Sequence, residues 1–332
     1  MIEKKVRDIN REVNSLKKEL NLVKRNFRNK FNLIIDELQK LGYNDYEVVL
    51  EPEEVQDYYA NLIEKIKPKK TFNDVVLSQD IKSQLNISLS QIKNHDVLMH
   101  KWGLADIQEG NAISLIFSGP SGTGKTLTAE ALSHELGKKL FIVRYSSLID
   151  SYVGETGKNI VRVFESAKKN DAILFFDEAD AIASSRTNIF SATDSETNLT
   201  RNVLLKELEK FDGIVIFATN LASNFDKAFE RRINLHITFK MPSVEEREQI
   251  WGLLSRKLPL EKDVNFYELA KEFEFSGGHI KNSVINAARL AISKNSDKVA
   301  QEHFSKAAKL VKEGRNILNQ IDESKDNLNY LG

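Results

Sequence analysis

Apolar side chains near the start of the chain recur at alternating steps of four and three residues, the spacing of a coiled-coil heptad. They are Ile2, Val6, Ile9, Val13, Leu16, Leu20, Val23 and Phe27. The register shifts once at Phe31, and Gly42 then supplies a helix stop. Residues 1–30 are mainly basic and residues 31–64 mainly acidic, with a second helix expected over residues 53–65. A helical hairpin within the chain and a coiled coil between subunits explain this pattern equally well.

A different pattern begins near residue 72, where short apolar runs alternate with segments of helical spacing. The runs lie at residues 114–117, 140–144, 173–176, 214–218 and 233–239. Runs that are apolar throughout are typical of parallel strands covered on both faces, and the helices between them favour a doubly wound α/β sheet. After residue 244 the spacing is helical without strand signals, which predicts a small helical domain.

These patterns divide the chain into regions. We predict an N-terminal helical and coiled-coil region at residues 1–66 and a large α/β domain at residues 67–243. A small helical lid domain is expected at residues 244–315 and a C-terminal tail at residues 316–332. The first boundary follows from Pro68, which ends a helix.

A glycine-rich loop follows the first apolar run and opens a helical segment. Residues 119–126 fit the pattern G-x-x-x-x-G-K-[ST], whose backbone N–H groups surround phosphate oxygens at the positive end of a helix. The lysine is expected to reach the β- and γ-phosphates, and the hydroxyl of Thr126 to bind Mg²⁺. The residues predicted to bind nucleotide here are Pro120, Ser121, Gly122, Thr123, Gly124, Lys125, Thr126 and Leu127. The fold expected around such a loop is that of a P-loop NTPase, with helices on both faces of a parallel sheet.

Two carboxylates end the apolar run at residues 173–176. Because ligands bind in the crevice at the carboxyl ends of parallel strands, Asp177 and Glu178 are expected to face the same site as the glycine loop. Asp177 is predicted to hold Mg²⁺, directly or through water, and Glu178 to polarise the attacking water. Together the two motifs predict that the protein binds and hydrolyses ATP.

Composition narrows the remaining classes. The 332 residues are 41% hydrophobic, enough for ordinary cores, and contain 48 basic against 48 acidic side chains. The zero net charge gives no global argument for binding nucleic acid or an anionic membrane. The chain has no cysteine, which rules out disulfides and thiolate catalysis. A charged start and the lack of an apolar segment of about 18 residues predict a cytoplasmic protein without a membrane span.

With these motifs in this order, residues 70–315 resemble the AAA clade of the AAA+ ATPases. Tyr152, Val153 and Gly154 lie between the two nucleotide motifs and are similar to the family's first pore loop. In the family this loop lines the channel of a ring and grips an extended polypeptide. The resemblance therefore implies a protein substrate and a homo-oligomeric ring, expected to be a hexamer.

The resemblance also implies roles for residues beyond the two nucleotide motifs. Asn220 matches the family's sensor, which positions the attacking water, and Arg231 and Arg232 match arginine fingers that reach a neighbour's site. Gly278 and His279 resemble the small-residue motif at the adenine and ribose. The sequence departs from the clade in lacking a glycine at Leu77 and Arg-Pro at residues 221–222, and it contains no H-E-x-x-H, so a protease is not expected.

The function that these features favour is ATP hydrolysis coupled to the remodelling, unfolding or disassembly of a protein threaded through a ring pore. Two alternatives stay open: a nucleic-acid motor or loader of the wider AAA+ class, and a scaffold whose nucleotide only holds the assembly together. The neutral charge gives the first little support. Intact Glu178, Asn220 and the two arginines argue against the second.

Overall fold

The computed structural model describes most of the chain beyond the predicted N-terminal region. The described residues are 62–104, 112–144, 148, 155–180, 192–220 and 227–329, with residues 155, 192–197, 227 and 317–329 described by their backbone alone. They belong to one compact unit, Asp57–Gly332. The predicted coiled coil and the predicted pore loop of Tyr152, Val153 and Gly154 lie outside the described residues.

The predicted parallel sheet forms the centre of the described structure. Its strands are β1 (Glu64–Ile66), β2 (Ile113–Ser118), β3 (Lys139–Arg144), β4 (Ala172–Asp177), β5 (Ile214–Thr219) and β6 (Leu235–Thr238). Their order across the sheet is β1-β3-β4-β5-β2-β6. Neighbouring strands from β3 to β6 run parallel, and β1 pairs antiparallel with β3 at the edge. The sheet confirms the predicted α/β fold class.

The edge strand β1 corrects one expectation, that a helix extends through residue 65. Leu62 and Ile63 are buried in the core, and Ile66 packs partly buried on the opposite face of the sheet. The Glu64 carboxylate accepts a hydrogen bond from Arg144 at 3.0 Å across the strand pair. A three-residue strand is too short to show a periodicity of its own, so tertiary pairing decides its conformation.

Helices cover both faces of the sheet, as the apolar runs predicted. Helices α1 (Gln79–Lys93) and α2 (Lys125–Glu135) pack on one face, and α3 (Glu155–Lys169) and α4 (Ala192–Lys210) on the other. In β4, Phe175 joins the core beneath α1 and α2, whereas Phe176 joins the core beneath α3 and α4. This alternation explains why the strand is apolar at every position but its last.

Helical segments follow the sheet. The short α5 (Lys227–Glu230) lies before β6, the last strand described. Four helices follow β6 in the described part of the chain: α6 (Val244–Ser255), α7 (Phe266–Glu272), α8 (Gly277–Ser293) and α9 (Gln301–Asn329). The last four share a separate core built around Trp251, Phe273 and Phe304. Helix α9 continues past the domain boundary expected at residue 315. Among the described residues, no helix is long and apolar enough to cross a bilayer.

Candidate active site

The glycine loop between β2 and α2 adopts a backbone that other residues rarely tolerate. The φ angles of Gly119, Gly122 and Gly124 are 140°, 76° and 101°. The N–H of Gly119 donates to the Thr219 carbonyl at 3.2 Å, which ties the loop to the end of β5. A Cβ on Gly119 would overlap the Phe239 carbonyl oxygen, so this position has no room for a side chain. The fold therefore holds the loop between two strand ends.

Lys125, the first residue of α2, points back into this loop. Its side chain is buried, and Nζ donates to the carbonyl oxygens of Gly119 and Pro120 at 2.6 and 3.1 Å. Nζ also donates to Oδ1 of Asn220 at 2.8 Å. The predicted phosphate-binding lysine and the predicted sensor are therefore in direct contact. Their contact joins the helix after β2 to the end of β5.

Two carboxylates act on the charge of Lys125. Burial lowers the pKa of its ammonium group, and the nearby charges of Asp177 and Asp180 oppose that shift. A partly dehydrated ammonium attracts an anion such as a phosphate more strongly than a fully hydrated one, whereas the two nearby carboxylates favour a second cation such as Mg²⁺ beside the phosphate.

The predicted acidic pair lies in a sharp turn at the end of β4. Asp177 is the last residue of the strand, and its Oδ1 accepts a hydrogen bond from the Glu178 N–H at 3.1 Å. Glu178 has a left-handed φ of 55° and an exposed side chain. The next N–H, of Ala179, donates to Ala218 on β5 at 2.9 Å. A non-glycine residue in this conformation is strained, and such strain is concentrated at functional sites.

Helix α8 of the lid region contacts the glycine loop directly. The Gly278 N–H donates to the Gly122 carbonyl at 3.1 Å, and a Cβ on Gly122 would come 2.7 Å from Oγ of Ser276. His279 Nδ1 hydrogen-bonds the Ser276 hydroxyl at 2.9 Å. Burial lowers the pKa of His279, with a smaller contribution from the positive charge of Arg315. The predicted lid residues thus lie at the glycine loop.

The other predicted residues of the loop surround the same strand-to-helix junction. Pro120 and Ser121 are exposed, and the Thr123 hydroxyl donates to the Pro120 carbonyl at 2.8 Å. Leu127 packs partly buried against the core beneath α1 and α2. That contact anchors the first turn of the helix on which Thr126 is exposed.

The chemistry of the donor set suits Mg²⁺. The predicted ligands are the hydroxyl of Thr126 and the carboxylate of Asp177, both of which are hard oxygen donors. Among the described residues, no group of three or more His, Cys, Asp or Glu side chains is arranged to hold a metal. Mg²⁺ bound with nucleotide needs only one or two protein oxygens, because phosphates and water complete its octahedron. The oxygen donors of Thr126 and Asp177 therefore fit Mg²⁺ bound with nucleotide.

The two predicted arginine fingers occupy different environments. Arg231 is exposed, and within the part of the chain that the structure describes it has no hydrogen-bond or ion-pair partner. Arg232 forms an ion pair with Glu209 on α4, with Nε 2.8 Å from Oε1, and its Nη1 donates to the Ala228 carbonyl at 2.8 Å. The two adjacent arginines therefore differ: the Arg231 side chain is available to contact another molecule, whereas that of Arg232 is bound within its own subunit.

Two residues beside predicted site residues were not themselves predicted from the sequence: Asp180 near Asp177, and Asn234 near Arg232. Asp180 Oδ1 accepts a hydrogen bond from the Thr219 hydroxyl at 3.0 Å, joining the turn after β4 to β5. Asn234 Oδ1 accepts from the Ser114 N–H at 2.7 Å, joining the segment before β6 to the start of β2. The sequence could have indicated Asp180, because it is a third acidic residue shortly after Asp177 and Glu178. Nothing in the sequence indicated its hydrogen-bond partner, the hydroxyl of Thr219.

Comparison with known proteins places these features in a family. Residues 115–241 match the ATPase family associated with various cellular activities (AAA). The ATP-dependent zinc metalloprotease FtsH 2 of Thermoanaerobacter sp. (strain X514) is 32% identical over 293 residues, covering 86% of this chain and 53% of that protein. The proteasome-activating nucleotidase of Aeropyrum pernix is 35% identical over 255 residues, covering 74% of this chain and 61% of that protein.

A third relative is matched over most of its own length. The uncharacterized AAA family ATPase y4kL of Sinorhizobium fredii is 32% identical over 251 residues, which are 75% of this chain and 73% of that protein. The chain belongs to the AAA family of ATPases. This confirms the predicted family and the predicted enzyme class. This chain spans 53% of the length of the metalloprotease and 61% of the length of the nucleotidase, so each match covers only part of the relative.

Proposed function

We propose that the chain hydrolyses Mg-ATP and uses the energy to remodel, unfold or disassemble a protein drawn through the pore of a ring. The observation that carries the first part is the contact between Lys125 and Asn220, at 2.8 Å, beside the acidic turn of Asp177 and Glu178. The second part is supported by similarity to a proteasome-activating nucleotidase and to an ATP-dependent metalloprotease. The proposed domains are the large α/β domain expected at residues 67–243, to which β1 (Glu64–Ile66) adds an edge strand, and the lid expected at residues 244–315.

The proposed chemistry assigns a task to each part of the site. Glycine-loop N–H groups and Lys125 bind the phosphates, and Lys125 exchanges its carbonyl acceptors for phosphate oxygens. Thr126 and Asp177 would hold Mg²⁺, which would neutralise phosphate charge. Glu178 polarises the attacking water and Asn220 orients it. These groups stand at the ends of β2, β4 and β5, which lie beside one another in the sheet.

Binding of the base and ribose is proposed for the lid residues. Gly278 and Gly122 approach closely because neither has a side chain, and His279 is held by Ser276. A nucleotide between the glycine loop and α8 would contact both parts of the protein. Its binding and release would then change their relative position, and we propose that this movement drives the substrate-gripping loop of Tyr152, Val153 and Gly154.

The proposed assembly is a cytoplasmic homo-oligomeric ring, a hexamer, in which arginines of one subunit complete the site of the next. An arginine finger contributes roughly 10³ to 10⁵ in rate. Turnover per subunit should therefore rise steeply with protein concentration as rings form. A monomeric enzyme would show no such dependence.

The test is ATP turnover measured across protein concentrations, together with molecular mass by light scattering. Glu178→Gln should abolish turnover while rings still assemble with nucleotide, because the change removes the charge that polarises water but leaves phosphate binding intact. Tyr152→Ala should retain basal turnover and lose the stimulation produced by unfolded casein, used as a probe polypeptide. If assembled rings of the parent protein show no turnover, the scaffold alternative is correct instead. Casein stimulation that survives Tyr152→Ala would refute threading by this loop.

A further inference from the structure

The segment that carries the two arginines is fixed to its own subunit at several points. Its backbone binds the start of β2, because the Asn234 N–H donates to the Ser114 carbonyl at 2.9 Å and the Ser114 hydroxyl donates to the Arg232 carbonyl. The Arg232 N–H donates to Phe229 at 2.9 Å, closing the turn after α5. The backbone around Arg231 is therefore defined by the fold of one subunit.

The Arg232 side chain adds a second anchor. Its Nε and Nη2 both donate to Oε1 of Glu209, and its Nη1 donates to the Ala228 carbonyl. All three guanidinium nitrogens are thus engaged within the subunit, and only 22% of the side chain is exposed. Hydrogen bonds between charged groups are roughly twice as strong as neutral ones. If the Arg232 side chain turned towards another subunit, it would therefore lose strong contacts within its own.

Arg231 has the opposite character. It precedes the anchored residue directly, is exposed, and has no hydrogen-bond or ion-pair partner among the described residues. An arginine whose backbone is fixed and whose guanidinium group has no partner in its own subunit is suited to bind a phosphate of a second molecule.

We propose that Glu209 and Arg232 form a positioning pair that presents Arg231 to the nucleotide of the neighbouring subunit. In this arrangement Arg232 contacts no phosphate. Glu209 on α4 affects turnover in the active site of the neighbouring subunit, without touching that site. The proposal rests on the proposed shared-site function and deepens it. It differs from the sequence expectation, in which Arg231 and Arg232 both serve as fingers.

Removal of Glu209 distinguishes the two arrangements sharply. If Arg232 only positions Arg231, Glu209→Ala releases the anchor and lowers kcat, by about 10- to 100-fold on the scale of an ångström-sized misplacement. If Arg232 is itself the finger, Glu209→Ala frees it and leaves kcat unchanged or raised. The matched control is Glu207→Ala, which removes an acid from the same helix, where Glu207 pairs only loosely with Lys210 at 3.7 Å.

The experiment measures kcat and KM for ATP at concentrations where light scattering shows rings. We expect Arg231→Ala to lower kcat by roughly 10³-fold or more. Glu209→Ala should lower kcat without raising KM, and Glu207→Ala should match the parent. The double variant Glu209→Ala/Arg231→Ala should be no slower than Arg231→Ala alone, because the pair acts only through Arg231. A general folding defect would instead add to the effect of Arg231→Ala.

A mixing experiment tests action in the neighbouring site. Glu178→Gln subunits have an intact arginine segment, and Glu209→Ala subunits have an intact hydrolytic site. Mixed rings should therefore turn over faster than rings of either variant alone. Full activity of Glu209→Ala, with Arg231→Ala inactive but rescued by mixing, would overturn the positioning pair and leave the shared site standing. An active Arg231→Ala whose turnover is independent of concentration would overturn the shared site itself, and the inference with it.

Discussion

Replacement of Gly119 by alanine should destabilise the large domain far more than an ordinary glycine substitution. Its φ of 140° belongs to a region open almost only to glycine, and occupying it with a side chain costs about 1–3 kcal/mol. The added Cβ would also overlap the Phe239 carbonyl, on a segment whose N–H donates to Ser118 at 2.6 Å. Forcing such an overlap in a packed region costs about 1–3 kcal/mol more. The expected loss is therefore about 2–6 kcal/mol.

Gly137 provides a control that separates strain from overlap. Its φ is 66°, but a Cβ there would meet no atom within 4 Å. Gly137→Ala should therefore carry only the left-handed strain, about 1–2 kcal/mol. Gly314→Ala, with open space in helix α9 and no positive φ, should be neutral or stabilising by up to about 1 kcal/mol.

The assay is urea unfolding followed by far-UV circular dichroism, comparing midpoints and slopes for the three variants and the parent. The predicted order of stability is Gly314→Ala, parent, Gly137→Ala and Gly119→Ala. Equal losses for Gly119→Ala and Gly137→Ala would show that the glycine loop yields to a side chain. The strand ends would then not hold the loop in place.

Two further predictions concern a carboxylate and the core. Hydrogen bonds from the Thr71 N–H and then from Arg256 lower the pKa of Asp74 from 3.8 to about 2, so its contribution to stability is present above pH 3.8 and is lost towards pH 2. In urea unfolding, the gap between the parent and Asp74→Asn should shrink over that range; a constant gap would contradict this. Phe176→Ala should lower the free energy of unfolding by about 3–5 kcal/mol, because Phe176 is fully buried and stacks on Phe217. Leu199→Ala, at an exposed position, should lower it by less than about 0.5 kcal/mol. Equal losses for the two variants would contradict the role given to Phe176 in the core.

The sheet was predictable because its strands are buried on both faces. An apolar residue at every position from Ile173 to Phe176 leaves little choice but a central strand, and the structure extends that run by one residue at each end. The last strand begins later than its apolar run, at Leu235, because the Ile233 N–H donates to Glu230 at 3.2 Å and keeps that residue in a turn. Apolar periodicity identifies burial, whereas the hydrogen bond that ends a turn leaves no trace in it.

The glycine loop and the acidic turn were found because each is a short contiguous motif with a chemical reason for every position. The pairing of Glu209 with Arg232 was not found, since it joins residues 23 apart whose spacing has no meaning outside the fold. The bond between Ser114 and Asn234 spans 120 residues. In the sequence, Ser114 is only a polar residue at the start of an apolar strand. Its role appears in the fold, where the segment before β6 places the Asn234 amide beside it.

Strand β2 joins the glycine loop to the arginine segment, two parts of the protein that we propose act on different nucleotides. Its carboxyl end continues into the glycine loop, while Ser114 near its other end binds the segment of Arg232 and Asn234. The strand is buried and pairs along its whole length with β5 and from Leu115 to Ser118 with β6, and its six residues span only about 20 Å. A strand held in this way moves as a unit with its sheet. We therefore expect the distance between Arg231 and the neighbouring nucleotide to change through movement of whole subunits, with the arginine segment itself keeping its place on the sheet.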